Sequence, residues 1–315
     1  MEKGRNARRP DLGRGTAIKH LAPYLETLYR TSPRTRIEQD PIAILHRYDD
    51  SKDIESVGFL TTCFAYGRVS SFKETVEKIL LLSGRSFYRY LLTFDIKKER
   101  QRFIGIYYRR SRSEDILCFV YMMSQIIRQY GGIKPLFISC YKKDDEDIEP
   151  TLARVIEKIK TIDTKPVYGV VEKPPGLLFL IPSPAQNSAC KRWNLYLRWM
   201  VRPNDGIDFG LWREIPTSKL IIPLDTHIAR IGRYLGLTSR KSADWKMAKE
   251  ITQNLKGIDP IDPLKYDFAL CHLGISGDCP MTQNYKKCFV CKLLPACKRG
   301  ITITRKQDSN KYARL

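Results

Sequence analysis

Four cysteines crowd one short stretch near the end of the chain. Cys279, Cys288, Cys291 and Cys297 follow the spacing C-x8-C-x2-C-x5-C, whereas Cys63, Cys118, Cys140, Cys190 and Cys271 occur singly in apolar, helix-like contexts. A segment that gathers thiols this tightly is built around either a metal or disulfides. Met1 to Arg9 is charged and no apolar core follows it, so no secretory leader is expected. The apolar run from Ile116 to Met123 is broken by Ser124 and Gln125, too soon to span a bilayer. The expectation is a cytoplasmic protein without membrane association, in whose reducing surroundings clustered thiols take a metal. Zinc and an iron–sulfur cluster both stay open here. Structural zinc sites usually pair two C-x2-4-C knuckles, and this stretch has one, Cys288 with Cys291. The single cysteines read as core, with Cys190 notable only for its neighbour Lys191.

Charge narrows the partner. Lys and Arg number 55 against 34 Asp and Glu, a formal net charge of +21. Such an excess favours a polyanion, and with no span in view the expected partner is nucleic acid. A basic arm, Arg5, Arg8, Arg9 and Arg14 among Gly and Pro, either tracks phosphates or is a solvated tail. The aromatic and Arg pairs between Phe87 and Met123 can stack on bases, although a helical core with snorkelling Arg explains them better. The acid-rich segment from Lys142 to Pro150 reads as a solvent loop or helix entry.

Periodicity is helical throughout, and β-branched alternation is scarce, so the fold class expected is all-α. Asp53 and Glu55 place acids in the first turn of a helix whose buried face carries Val57, Leu60 and Phe64, with Gly67 as its stop. Ser70 or Ser71 is placed to cap the next helix. Further on, the apolar run Leu177 to Ile181 ends at Pro182-Ser183-Pro184. A turn follows, then Ser188 as a helix N-cap. The helix from Ala189 to Met200 buries Trp193, Leu197 and Met200 and lines up Lys191, Arg198 and Arg202 as a basic rim. Lys191 falls in the first turn. An unprotonated lysine amine there can attack carbon and form a Schiff base, though a plain surface lysine has the same local sequence. Asp225 follows the extended segment Leu220 to Pro223, where it can cap a helix and still present its second oxygen to a cleft. Together the two suffice for attack at a sugar C1′ with departure of the base. Asp262-Pro263 is expected to open the helix leading to Cys279, with His272 packed inside it.

The order of these features is similar to that of the helix–hairpin–helix DNA glycosylase superfamily in its endonuclease III-like form. The features are the hairpin, Lys191 ahead of Asn194, the run Leu224-Asp225-Thr226-His227-Ile228-Ala229-Arg230-Ile231-Gly232-Arg233 and the four-cysteine loop. Ser188 to Arg192, Leu197 to Arg202 and Tyr266 to Leu270 resemble more closely a bacterial branch of that superfamily with members of unknown function. The likeness is firmest from Leu177 to Cys297, looser from Asp53 onward, and does not reach the first 40 residues. It implies a two-lobed all-α fold. Residues 1–40 would form a basic arm, 41–202 a helical bundle ending in the hairpin and the Lys191 helix, and 203–315 a second lobe packed with the N-terminal region. The function implied is a DNA-repair glycosylase, with or without lyase action at abasic sites, that binds duplex DNA as a monomer. Lys191 takes the nucleophile position and Asp225 the catalytic aspartate position. The four cysteines hold a structural [4Fe–4S] cluster, zinc being the lesser alternative. That cluster would stiffen a loop carrying Lys286, Lys287, Lys292, Lys298 and Arg299. Ser188, Arg192, Arg198, Arg202, His227 and Arg230 are candidate DNA contacts, as are Tyr66 and Arg68 at the wedge turn. Two features depart from the pattern. The hairpin from Pro182 to Ser188 lacks glycine, leaving Asn187 as its left-handed residue. The insertion from Pro203 to Ser218 brings Trp212 and Asp208, expected to remodel the base pocket. A binder of DNA or RNA that keeps the scaffold without chemistry is the alternative.

Overall fold

The computed structural model describes residues 16–282 and 284–300, with side chains from residue 18 onward. The arginines of the basic arm lie outside them. The described residues are helical, with one isolated bridge, Tyr108 to Ser111, as their only β pairing. Buried apolar side chains from Leu21 to Ala296 form one continuous cluster.

Helices α1 (Thr16–Lys19) and α2 (Ala22–Thr31) precede two 3-10 turns, Arg34–Gln39 and Pro41–Arg47. The long central helix α3 (Ser51–Phe64) is buried along almost its whole length. Its N-cap is Asp50, whose carboxylate accepts from Lys52 N at 2.8 Å and Asp53 N at 3.2 Å. Asp53 stands in the first turn of α3 as expected, Glu55 lies beyond it, and both carboxylates also serve other helices. Asp53 accepts from Tyr88 N at 2.8 Å at the start of α5 (Phe87–Leu92), which α4 (Val69–Ser83) precedes. Glu55 accepts from Ile133 N at 2.5 Å and Lys134 N at 3.0 Å, capping α8 (Ile133–Cys140). Neither serine caps α4: Arg68 holds its N-cap position and makes no side-chain cap.

Helices α6 (Ile96–Glu99) and α7 (Ser113–Tyr130) complete the layer beside α3. Then come α9 (Glu149–Lys160), α10 (Lys165–Tyr168) and α11 (Pro175–Leu180), leading to α12 (Lys191–Val201), which packs along α3. Every residue of α12 from Arg192 to Val201 is buried, so no basic rim forms. The reason is that its arginines, and Arg202 just beyond it, find partners inside. Arg198 reaches Asp208 at 3.2 Å and Asp267 at 2.5 Å. Arg202 pairs with Asp208, with Asp262 at 2.9 Å and with Asp205 at 3.3 Å. The insertion that carries Asp205 and Asp208 also closes the end of α12. Phe209 N and Trp212 N each donate at 2.8 Å to the last-turn carbonyls of Trp199 and Met200. Trp212 is fully buried against Phe137 and Tyr196 and donates to Glu55 at 3.1 Å. Trp212 and Asp208, expected to shape a base pocket, are interior structure instead.

Helices α13 (Thr226–Leu235), α14 (Trp245–Lys256), α15 (Asp267–Ile275) and α16 (Tyr285–Phe289) complete the order. The acid-rich loop meets this half, with Lys249 of α14 contacting Asp147 at 2.9 Å and Glu149 at 3.1 Å. Asp262-Pro263 does not open α15; Asp262 is drawn to Arg202, and the helix begins at Asp267. The N-terminal segment closes over α15. Tyr29 meets Tyr266 edge-on at 6.3 Å, Lys265 pairs with Glu26 at 3.1 Å, and His272 Nε2 donates to Asp40 Oδ2 at 2.9 Å.

Burial by itself raises the Asp40 pKa, but the His272 hydrogen bond and the Arg198 charge outweigh it and hold the carboxyl below its usual 3.8. A depressed carboxylate adds stability that is complete above its unfolded value and is lost as pH falls through the folded one. Asp40→Asn is thus expected to unfold at lower urea than the wild type at about pH 7, with the deficit shrinking below about pH 4. Urea midpoints across that range test it.

Candidate functional site

The hairpin after α11 turns without glycine because two other residues take left-handed backbone. Asn187 has φ 57° and Cys190 φ 45°. Ser188 is not the N-cap; its hydroxyl accepts from Cys190 N at 3.2 Å, and α12 opens one residue later at Lys191. Asn194, one turn on, donates to Ala189 O at 3.2 Å and ties the helix start to the hairpin. Lys191 therefore sits at the first position of α12, half-exposed, while the rest of the helix runs inward.

Asp225 arrives from another part of the chain. It is the N-cap of α13, with Oδ1 accepting from Ile228 N at 2.8 Å. Its other oxygen, Oδ2, lies 4.0 Å from Lys191 Nζ, with the two side chains 36% and 13% exposed. The two residues thus meet where two helix N-termini converge, at the surface. A cavity of about 950 Å³ lined by Lys52, Glu55, Lys134 and Arg213 lies toward the opposite end of α12, beside Val201, and belongs to a different part of the molecule.

Three of the candidate DNA contacts are removed by burial. Arg198 and Arg202 are held in the ion pairs described above, each 2% exposed. Arg192 donates to Cys63 O at 2.7 Å and to Phe179 O, with its guanidinium 4.9 Å from the Tyr66 ring and 5.0 Å from that of Phe179. Burial pushes its pKa down, but two carbonyls and two aromatic faces compensate the buried cation. Tyr66 is half-buried in the same stack, 4.8 Å from Tyr108 and 5.0 Å from Phe179, and so does not project as a wedge. Arg68 beside it is exposed.

His227 and Arg230 face the cysteine loop. His227 packs on α15 at Gly274, where a Cβ would stand 2.6 Å from its Nδ1. Arg230 donates to Cys279 O at 2.7 Å. The four cysteines are free thiols of intermediate exposure. Burial pushes the Cys279 thiol up to about 11, Arg230 opposes this, and Cys291, Cys297 and Cys288 each add to it, so the four sulfurs act on one another. Among the described residues no three His, Cys, Asp or Glu side chains stand in a coordinating arrangement. The donor chemistry fits a thiophilic metal, whose binding would have to drive the protons off. The loop's cations are partly engaged within the molecule: Lys287 donates to Gly277 O at 2.8 Å, Lys292 reaches Thr31, and Arg299 donates to Tyr234 Oη at 2.8 Å.

The chain belongs to the family described as Protein of unknown function (DUF2400), whose model matches residues 40–276. Lys191, Asp225 and the ionic cluster below them lie inside that match, and the four-cysteine loop follows it. No curated protein and no solved structure matches the chain.

One participant had no sequence signal. Cys271, which read as core, donates its thiol to Asp225 Oδ2 at 3.3 Å. Only the packing of α15 against α13 reveals it. Arg192→Ala is expected to cost about 2–4 kcal/mol by leaving two buried carbonyls unpaired, while Arg68→Ala stays within about 0.5 kcal/mol. Chemical unfolding of the two variants checks both.

Proposed function

We propose that the protein is a DNA glycosylase of the helix–hairpin–helix kind, two-lobed, that excises a base through Lys191 and Asp225 and acts as a β-lyase at abasic sites. The observation that carries this reading is the 4.0 Å approach of Lys191 Nζ to Asp225 Oδ2 at two converging helix starts. The net charge of +21 supports a polyanionic substrate.

The Lys191 amine, as free base, would give its lone pair to C1′ while the bond from C1′ to the base breaks. The base leaves with that electron pair and takes up a proton. Asp225, close by, would stabilise the positive charge that develops on the sugar and receive the proton Lys191 must lose. At an abasic site the amine adds to the C1′ aldehyde and water departs, leaving an imine. The target base would have to leave the stack to reach the amine. Cys279, Cys288, Cys291 and Cys297 would hold a [4Fe–4S] cluster that stiffens their loop, with zinc as the alternative occupant. A binder of DNA or RNA without chemistry is the second reading, favoured by the burial of Arg192, Arg198 and Arg202 away from any ligand.

Borohydride trapping on duplex DNA with one abasic site tests the lysine chemistry, and base release from damaged duplexes by the wild type but not by Asp225→Asn separates a glycosylase from a binder. The expected result is a covalent adduct with the wild type and none with Lys191→Ala, while binding persists. Duplex binding without an adduct would overturn the lyase chemistry. For the loop, anaerobically purified protein is expected to contain about four iron and four sulfide per chain. Stoichiometric zinc in their place would overturn the cluster assignment.

A further inference from the structure

The Asp225 carboxylate is held at both oxygens by neutral donors. Oδ1 accepts from Ile228 N at 2.8 Å, within its own helix. Oδ2 accepts from the Cys271 thiol at 3.3 Å, across the junction with α15. It is this same Oδ2 that faces Lys191 Nζ at 4.0 Å. That separation is an ion pair, yet it is too long for a hydrogen bond. The carboxylate is thus charged company for the amine without being its acceptor.

Cys271 can only donate here. Burial first, then the Asp225 and Asp267 carboxylates, push its thiol well above the ordinary range, so it keeps its proton at neutral pH. Its place is fixed from two sides. Asp267, one turn earlier on the same face of α15, is gripped by Arg198 of α12 at 2.5 Å. Gly274, one turn later, lets His227 of α13 lie directly on the helix. Side chains on both the Lys191 helix and the Asp225 helix therefore set where this thiol stands, as a precisely aimed donor requires.

We propose that Cys271 is a positioning residue that holds the Asp225 carboxylate back from Lys191, so that the amine is paired electrostatically but not tied by a hydrogen bond. The inference rests on Lys191 being the nucleophile. A hydrogen bond from the amine to Oδ2 would have to break before each attack. The thiol disfavours that bond by drawing Oδ2 toward α15.

The test reads Lys191 itself, without DNA. Full-length protein is reductively methylated with formaldehyde and cyanoborohydride, and labelling of Lys191 is followed by peptide mass spectrometry. Cys271→Ala and Cys271→Val release Oδ2 toward the amine, and each is expected to slow Lys191 labelling about three- to tenfold, the size of one charge-assisted hydrogen bond. Cys271→Ser keeps a donor and is expected to label within about twofold of wild type. A purely packing role would leave the labelling rate unmoved in whichever of the apolar variants folds. That result, or a serine variant as slow as alanine, overturns the proposal. Borohydride trapping run in parallel separates the two readings. A labelling shift with no wild-type adduct keeps the positioning role and removes the Lys191 lyase reading, and an adduct with no labelling shift does the reverse.

Discussion

The rest of the structure hangs on a buried knot of charge around Arg198 of α12 and Arg202, the residue that caps its C-terminal end. Arg198 and Arg202 share Asp208 between them, and draw Asp267, Asp205 and Asp262 from three other segments. Taking guanidinium groups out of water is expensive, and each pair repays it only while its partners hold their geometry. The knot therefore specifies more than it stabilises. It fixes the insertion after Arg202 onto the end of α12, sets the start of α15, and through Asp40 brings in the segment before α3. Removing one carboxylate would leave a cation stranded, so every segment it touches is placed with respect to α12.

That arrangement turns α12 into a mounting for its own first residue. Buried from Arg192 to Val201, the helix is anchored by the Arg192 bonds to Cys63 and Phe179 near one end and by the insertion at the other. Lys191 is what remains at the surface. Because α15 is locked to α12 by Arg198 and packs along α13, the carboxylate that caps α13 is delivered to the same spot. The junction of Lys191, Asp225 and Cys271 is a consequence of helix packing, and its distances inherit the rigidity of the interior.

Much of this was written plainly in the chain. The helical periodicity around Val57, Leu60 and Phe64 marked the central helix, and the all-α character followed from the same spacing. Asn187 was identifiable as a left-handed turn residue, since a short polar side chain tolerates that backbone. Asp225 read as an N-cap, and it is one. Other readings failed for a common reason. Arg198 and Arg202 at helical spacing looked like a solvent-facing rim because periodicity shows which residues share a face and says nothing of what that face meets. Glu55 looked like an acid of its own helix's first turn and instead caps the start of α8, while Asp53 keeps its first-turn place and also accepts at the start of α5. Trp212 and Asp208 looked like pocket furniture and turned out to be core.

The sequence by itself determined the local state of most segments: where helices run, where the hairpin turns, and that Asp225 caps a helix. These depend on residues within a few positions of one another. Which polar groups became structural and which stayed available was decided only by the tertiary fold. A polar side chain goes where its partner is, and for Arg198 with Asp267, Glu55 with the start of α8 and Cys271 with Asp225 that partner lies far away in the chain. The same holds for Lys191, whose neighbour Asp225 is brought to it by the packing of helices that neither residue belongs to alone.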